Sequence, residues 1–384
     1  MAAERTIFHI DIDAFFAAAE RSVNPDLIGK PLIIGGKGTR GVVACASYEV
    51  RPYGIRSAMP MSRALRLCPN ALVINPTHAL YSNISKAFMK ILKDYTPDVQ
   101  VMSIDEAYMD MTGTEALYGP PEKVARDIKK LVQENLGLTA SIGIATSRLV
   151  AKIASDERKP DGLFVVTPGD EATYLAPMPI RKLPGIGPRA AEKLGRLGIR
   201  TLGELATFPE APLRREMGNQ SARLIERAKG IDASNLTSGA KSKSISAEKT
   251  FHEDSVDRAF LNKTIIELAE GVGRRLRGSG KHARSVSLKL RYNDFTTVTR
   301  HNTPSTSFDG DTRIVEMTTA LLDTVLKQRN EPVRLIGIGV ENLIEPAAQL
   351  SLLDPIKLND SVLSSTLDKI RDRFGEDSVS RGSK

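Results

Sequence analysis

From Thr6 to Ile12 the chain (TIFHIDI) alternates polar and apolar positions, the two-residue period of a strand with one face buried. The period lengthens over 14–23 (AFFAAAERSV), which predicts a helix with Asp13 placed as its N-cap. Residues 30–77 are rich in turn formers and carry short strand signals at PLIIGG and GVVACAS. Helical periodicity returns at about 78–95 and 121–135, and strand periodicity at about 99–105, 107–112 and 139–145. With 24–77 set aside as an inserted small subdomain, what remains is β-α-α-β-β-α-β, close to a ferredoxin-like unit. Short helices and Gly/Pro turns fill 167–233, and 234–244 (SNLTSGAKSKS) is a polar linker. A second α+β unit spans 245–345, with strands at SVSLKLRY and VRLIGIGVEN. From 346 come one apolar pentad, QLSLL, and an amphipathic stretch, LSSTLDKIRDRFGED. There are no internal repeats. The pattern predicts a multidomain α+β protein.

Length and composition narrow this picture. At 384 residues the chain exceeds one ordinary domain, and 41% hydrophobic with 26% charged residues is the balance of a soluble globular protein. No apolar run approaches the roughly 18 residues that span a bilayer. The acids within MAAERTIFHIDIDAFFAAAE argue against an export signal. Cys45 and Cys68 alone build neither a disulfide framework nor a metal cluster, so a reducing compartment, the cytoplasm, is expected. The net charge of +8 is spread along the chain. One stretch concentrates it: from Gly271 to Asn293 there are seven Lys/Arg, Arg284, Lys289 and Arg291 among them, and no acid. Such a stripe is either a solvated face or a phosphate-binding one, and its lead into an alternating strand favours phosphate.

The chemistry concentrates in SIDEAYMD (103–110), where Asp105 and Glu106 stand side by side in an apolar run. Neighbours on a flat strand point to opposite faces, so both reach one site only across a tight turn or bulge. In a ferredoxin-like sheet the first and third strands are neighbours, which brings Asp11 beside the pair. Three carboxylates with no interleaved His or Cys are hard oxygen ligands, suited to magnesium. Two such ions about 3.5–4 Å apart form the usual clamp for in-line phosphoryl transfer. A surface turn accounts for an isolated Asp-Glu pair equally well; Asp13 and Asp110 read as structural.

Five segments, HIDIDAFFAAAE, ASYEVRPYGIRSAMP, SIDEAYMD, AKIASDERKPDG and LPGIGPRAAEKL, follow the order found in Y-family translesion DNA polymerases, and the chain resembles the bacterial members most. The resemblance covers about 5–345. It implies a right-hand architecture: a palm (1–23 and 78–166), small fingers (24–77), a helix-hairpin-helix thumb (167–233), a linker (234–244), a little finger (245–345) and a tail (346–384). It further implies two magnesium ions, with manganese as the alternative, held by Asp11, Asp105, Glu106 and the Ile12 carbonyl. Glu106 would lie nearest the primer 3′-hydroxyl.

The same resemblance assigns a nucleotide pocket. Phe16 would be the steric gate against a ribose 2′-hydroxyl, next to Phe15, which is also consistent with plain core packing. Tyr48, Arg51 and Lys159 would contact the triphosphate; taken singly, each reads as a solvated surface residue. Cys45 stands where a Thr is frequent, and a thiol is a weak donor. Val43, Ala44 and Ala46 would form a spare roof over the nascent pair. GGKGTRG (35–41) lacks the ending of a phosphate loop and reads as a hairpin.

Gly185 and Gly187 in LPGIGPRAAEKLGRLGI would let backbone amides approach a DNA phosphate. Arg284, Lys289 and Arg291 would grip primer–template backbones. Gln349, Leu352 and Leu353 resemble a sliding-clamp peptide. The expected activity is low-fidelity, template-directed DNA synthesis from deoxynucleotides by a monomer, without a proofreading exonuclease or a membrane. Two rivals remain: a palm-type nucleotidyl cyclase and a non-catalytic DNA-binding scaffold.

Overall fold

The computed structural model describes residues 5–38, 40–237, 242–345, 355–375 and 378–379. The chain divides into two compact units, Met1–Ala240 and Lys241–Lys384.

The first unit is organised on β1 (Ile7–Ile12), which runs into α1 (Phe15–Val23). The inserted segment contributes β2 (Leu32–Gly35), β3 (Val43–Ala46) and β4 (Leu72–Ile74), a small sheet in the order β3-β2-β4. β5 (Val99–Val101), β6 (Glu106–Asp110), β7 (Ala140–Ala145) and β8 (Leu163–Val165) join β1 in a five-stranded sheet, β5-β6-β1-β7-β8. The expected adjacency of the first and third ferredoxin-like strands is present, with β8 added as a parallel edge. Only three residues long and half-buried throughout, β8 offers no alternation to detect.

Two expectations about β1 and α1 change. The alternation of TIFHIDI predicts one buried face, yet both are covered. Phe8, Ile10 and Ile12 enter one core, while Ile7 on the other side packs with Tyr108, Leu149 and Ile153. Asp13 is not a helix cap: the N-cap is Ala14, in a left-handed conformation (φ 44°) without any side-chain bond, and Asp13 is 3% exposed and engaged elsewhere.

Alternation along β2 divides it between two cores. Leu32 and Ile34 join the core of Phe8, Ile10 and Ile12, and Ile33 joins Val43, Val50, Ile55 and Met61 in a core belonging to the insert. The segment 167–233 is helical as expected, and its leucines (Leu175, Leu183, Leu194, Leu202, Leu205 and Leu213) pack with Ile7 and Tyr108 in one continuous cluster.

The second unit is a four-stranded antiparallel sheet in the order β11-β10-β12-β9, formed by β9 (Ser244–Ser255), β10 (Ser285–Tyr292), β11 (Thr297–Asn302) and β12 (Val333–Glu341). The helices Arg258–Gly278 and Asp311–Gln328 cover one face, burying Val286, Leu288 and Leu290 with Ile336 and Ile338. The amphipathic tail stretch forms the helix Pro355–Phe374, which packs on those two helices. It therefore extends this unit beyond 345.

That packing corrects the picture of 271–293 as a uniformly free basic stripe. Arg277 is a buried fork between Asp311 (2.7 Å) and Asp368 (2.6 Å), and Arg274 meets Asp372 at 2.5 Å. These acids are distant in sequence, so the stretch looked unpaired. Lys289 and Arg291 lie on the opposite, open sheet face, with Lys289 2.7 Å from Glu248 on β9. No described helix is long and apolar enough to cross a membrane.

Candidate active site

The acids meet through strand register. β1 and β6 pair antiparallel with Asp11 directly opposite Glu106, and the Ile12 amide donates to the Asp105 carbonyl at 3.0 Å. Met102 and Ser103 amides both donate to the Glu106 carbonyl (2.9 and 3.2 Å), closing the tight turn that two adjacent acids require. Asp105 thus sits in the turn and Glu106 begins the strand. The Asp105 carboxylate accepts a 2.5 Å bond from the Ser103 hydroxyl.

Two lysines answer the charge. Lys159 Nζ is 3.0 Å from Asp11 and 2.8 Å from Asp156, and Lys152 Nζ contacts Glu106. Burial pushes the Asp11 carboxyl up to about 6, against the pull of Lys159. A hydrogen bond from His9 holds Glu106 down to about 2, with Lys152 acting in the same direction. His9 Nε2 is 2.9 Å from Glu106 and Nδ1 is 2.8 Å from the Ser155 hydroxyl, and burial lowers its own pKa. Neither His9 nor Lys152 was anticipated. One signal pointed to His9: two residues before Asp11 on a strand, it shares Asp11's face.

Phe16 is half-buried, its ring stacked on Tyr81 with centroids 4.3 Å apart and planes 11° apart. The Tyr81 hydroxyl is held by Glu20 at 2.6 Å. This support for the candidate gate is 65 residues away and carries no sequence signal. Phe15 is 2% exposed and packs in the core beneath the sheet. Cys45 is likewise buried in that core, with the Phe16 and Ala17 amides turned to its sulfur and its thiol pKa raised by burial. Of the three roof residues only Ala44 is exposed, since Val43 and Ala46 belong to the insert's core. Arg51 lies over the Tyr48 ring, 3.8 Å from its centroid. Arg51 is exposed, Tyr48 and Lys159 are half-buried, and of the three Lys159 meets Asp11.

Gly185 adopts φ +93°, a conformation that strains any residue with a Cβ. Gly187 is the N-cap of the helix Pro188–Arg196, has open space at its Cα, and provides no side-chain cap to the first-turn amides.

A protein called DNA polymerase IV from Dehalococcoides mccartyi is 41% identical over 379 residues, 98% of this chain and 97% of the relative. Another of the same name from Halorhodospira halophila is 41% identical over 340 residues, 88% of this chain and 95% of that one. Among solved structures, a Y-family DNA polymerase chimera superposes with a TM-score of 0.79 at 26% identity, covering 89% of this chain and all of that one. The chain belongs to the Y-family DNA polymerases. The impB/mucB/samB family model matches residues 10–156, its C-terminal domain 242–352, and its helix-hairpin-helix motif 168–199. The protein is a translesion DNA polymerase, a nucleotidyltransferase, and the cyclase and scaffold readings find no support in these likenesses.

Members of this family are metal-dependent nucleotidyl transferases. The polymerase's residues fit divalent cations in kind: Asp11, Asp105 and Glu106 are all-oxygen donors, two of them drawing an ammonium. Among the described residues, no three acid, His or Cys side chains converge into a ready cage. The Ser103 hydroxyl occupies Oδ1 of Asp105, and Lys159 lies against Oδ2 of Asp11.

Proposed function

We propose that the polymerase extends a primer 3′-hydroxyl with deoxynucleotides on a template, at low fidelity and without proofreading, using Asp11, Asp105, Glu106 and the Ile12 carbonyl as ligands for two magnesium ions. The observation that carries this is the register of Asp11 opposite Glu106 with Asp105 in the adjoining turn. When bound, the ions supply charge neutralisation and activation of the attacking hydroxyl. The chain's own groups do the rest. His9 and Lys152 orient Glu106, and Lys159, Arg51 and Tyr48 bind the triphosphate oxygens. Phe16, backed by Tyr81, excludes a 2′-hydroxyl by contact.

DNA is held by the amides around Gly185 and Gly187 and by Arg284, Lys289 and Arg291, contacts that position a duplex without reading it. Residues 1–23 and 78–166 act as palm, 24–77 as fingers, 167–233 as thumb and 245–345 as little finger. The setting is the bacterial cytoplasm, with the protein acting as a monomer. The clamp peptide Gln349–Leu353, with Leu352, lies outside the described residues. Alanine at Gln349 and Leu352 tests it, by removing clamp-stimulated synthesis while sparing basal synthesis. Primer extension with magnesium, comparing the wild type with Asp105→Ala plus Glu106→Ala, tests the site; a double variant as active as the wild type sinks the assignment.

A further inference from the structure

Asp13 is a carboxylate taken out of water that forms no ion pair among the described residues, a costly arrangement unless several donors satisfy it. Three do, from three separate parts of the first unit. The Ser141 hydroxyl of β7 donates to Oδ1 at 2.8 Å, the Tyr48 hydroxyl donates to the same oxygen at 3.2 Å, and the Asp161 amide donates to Oδ2 at 2.8 Å. Ser141 in turn accepts the Gly162 amide at 3.1 Å. The carboxylate and its serine thereby hold both amides that follow Lys159-Pro160. Lys159 leaves that turn to reach Asp11, and Arg51 rests on the ring whose hydroxyl Asp13 fixes.

We propose that Asp13 is the positioning residue of the nucleotide site. Its buried carboxylate ties Tyr48, and through the ring Arg51, to the turn that carries Lys159, so that three phosphate-directed groups are registered on one anchor beside Asp11. This rests on the reading of those three groups as triphosphate contacts. Asp13 itself touches no substrate, and Tyr48 spends its single proton on Asp13. The Tyr48 oxygen therefore offers lone pairs toward a ligand unless a phosphate draws that proton away. Tyr48 would then exchange one acceptor for another as the nucleotide arrives, while the turn stays anchored through Oδ2. Preorganisation of this kind lowers the cost of ordering three side chains at binding.

The test is single-nucleotide insertion on a matched primer–template, with kcat and KM for the deoxynucleotide, DNA affinity and thermal unfolding measured together. Asn offers one acceptor oxygen, serving either the Asp161 amide or the two hydroxyls in their present polarity. Asp13→Asn should therefore raise KM roughly tenfold with kcat held within about threefold and DNA affinity unchanged. Ser141→Ala keeps the carboxylate and covers the case in which Asp13→Asn does not fold; it should raise KM by about threefold. In a double-mutant cycle, Asp13→Asn and Tyr48→Phe together should cost less than the product of the single effects. An unchanged KM in Asp13→Asn, a loss confined to kcat, or multiplicative effects in the cycle overturns the proposal. So does an unchanged KM in Ser141→Ala when Asp13→Asn is unfolded. Arg51→Ala separates the two layers. Unchanged KM there removes the triphosphate reading itself, whereas a raised KM there with a normal Asp13→Asn removes only the role of Asp13.

Discussion

The acids of the first unit's sheet and the arginines of the second unit's helix pose the same electrostatic problem and solve it in opposite ways. Asp11 and Glu106 are answered by two lysines, single point charges on flexible stems, with Lys152 34% and Lys159 19% exposed. Arg277, 8% exposed, is answered by Asp311 and Asp368, two carboxylates on separate helices gripping one planar fork. A lysine on its flexible stem can swing away from its partner; a doubly clamped guanidinium stays. The difference separates charge held by single flexible partners from charge locked between two helices.

The comparison breaks most sharply at the acids. Asp105→Ala with Glu106→Ala should lower primer extension by at least about a thousandfold while leaving the thermal midpoint near the wild-type value. A large loss of stability with it would place these acids in the structural class. On the other side, Arg277→Met should cost about 3–5 kcal/mol in chemical denaturation of the second unit, because the buried Asp311 and the half-buried Asp368 both lose their partner. A neutral outcome would mean that the pair tolerates solvent and resembles the palm after all.

Phe16→Ala sharpens the palm side. Ribonucleotide insertion relative to deoxynucleotide insertion should rise by roughly a hundredfold, since rejection there depends on contact with a ring. Unchanged rejection would remove the gate. The smallest effect belongs to the open sheet face of the second unit, where Lys289→Ala should change stability by less than about 1 kcal/mol. It should also reduce the slope of log DNA affinity against log salt by about one. A slope equal to the wild type's would show that the Glu248 pair, not DNA, occupies that charge.

These contrasts also explain what could be seen in advance. Strand periodicity located β1, β6 and β7 closely, and a turn between two strands was demanded by Asp105 and Glu106 being adjacent, because alternate residues of a strand diverge. Family motifs marked Phe16, Tyr48, Arg51 and Lys159 as belonging together. What failed were inferences from immediate neighbours. Asp13 looked like a cap because caps precede helices, and the 271–293 run looked unpaired because its acids come from the helices Asp311–Gln328 and Pro355–Phe374. Tyr81, Lys152 and Ser141 left no trace of their roles, since nothing local distinguishes a stacked tyrosine or a hydroxyl aimed at a buried carboxylate.

By itself, then, the sequence determined the strands β1, β6 and β7 of the first unit's sheet, the oxygen character of the candidate site and the family. Those follow from period, residue type and motif, which are properties of neighbours along the chain. Only the tertiary structure decided which charges are available. It clamped Arg277, buried Phe15 and Cys45, and turned Asp13 from a cap into an anchor for the Tyr48 ring and the Lys159 turn. The physical reason is that a charge's cost and reach depend on desolvation and on partners within a few ångströms, and those partners are brought from far along the chain by packing.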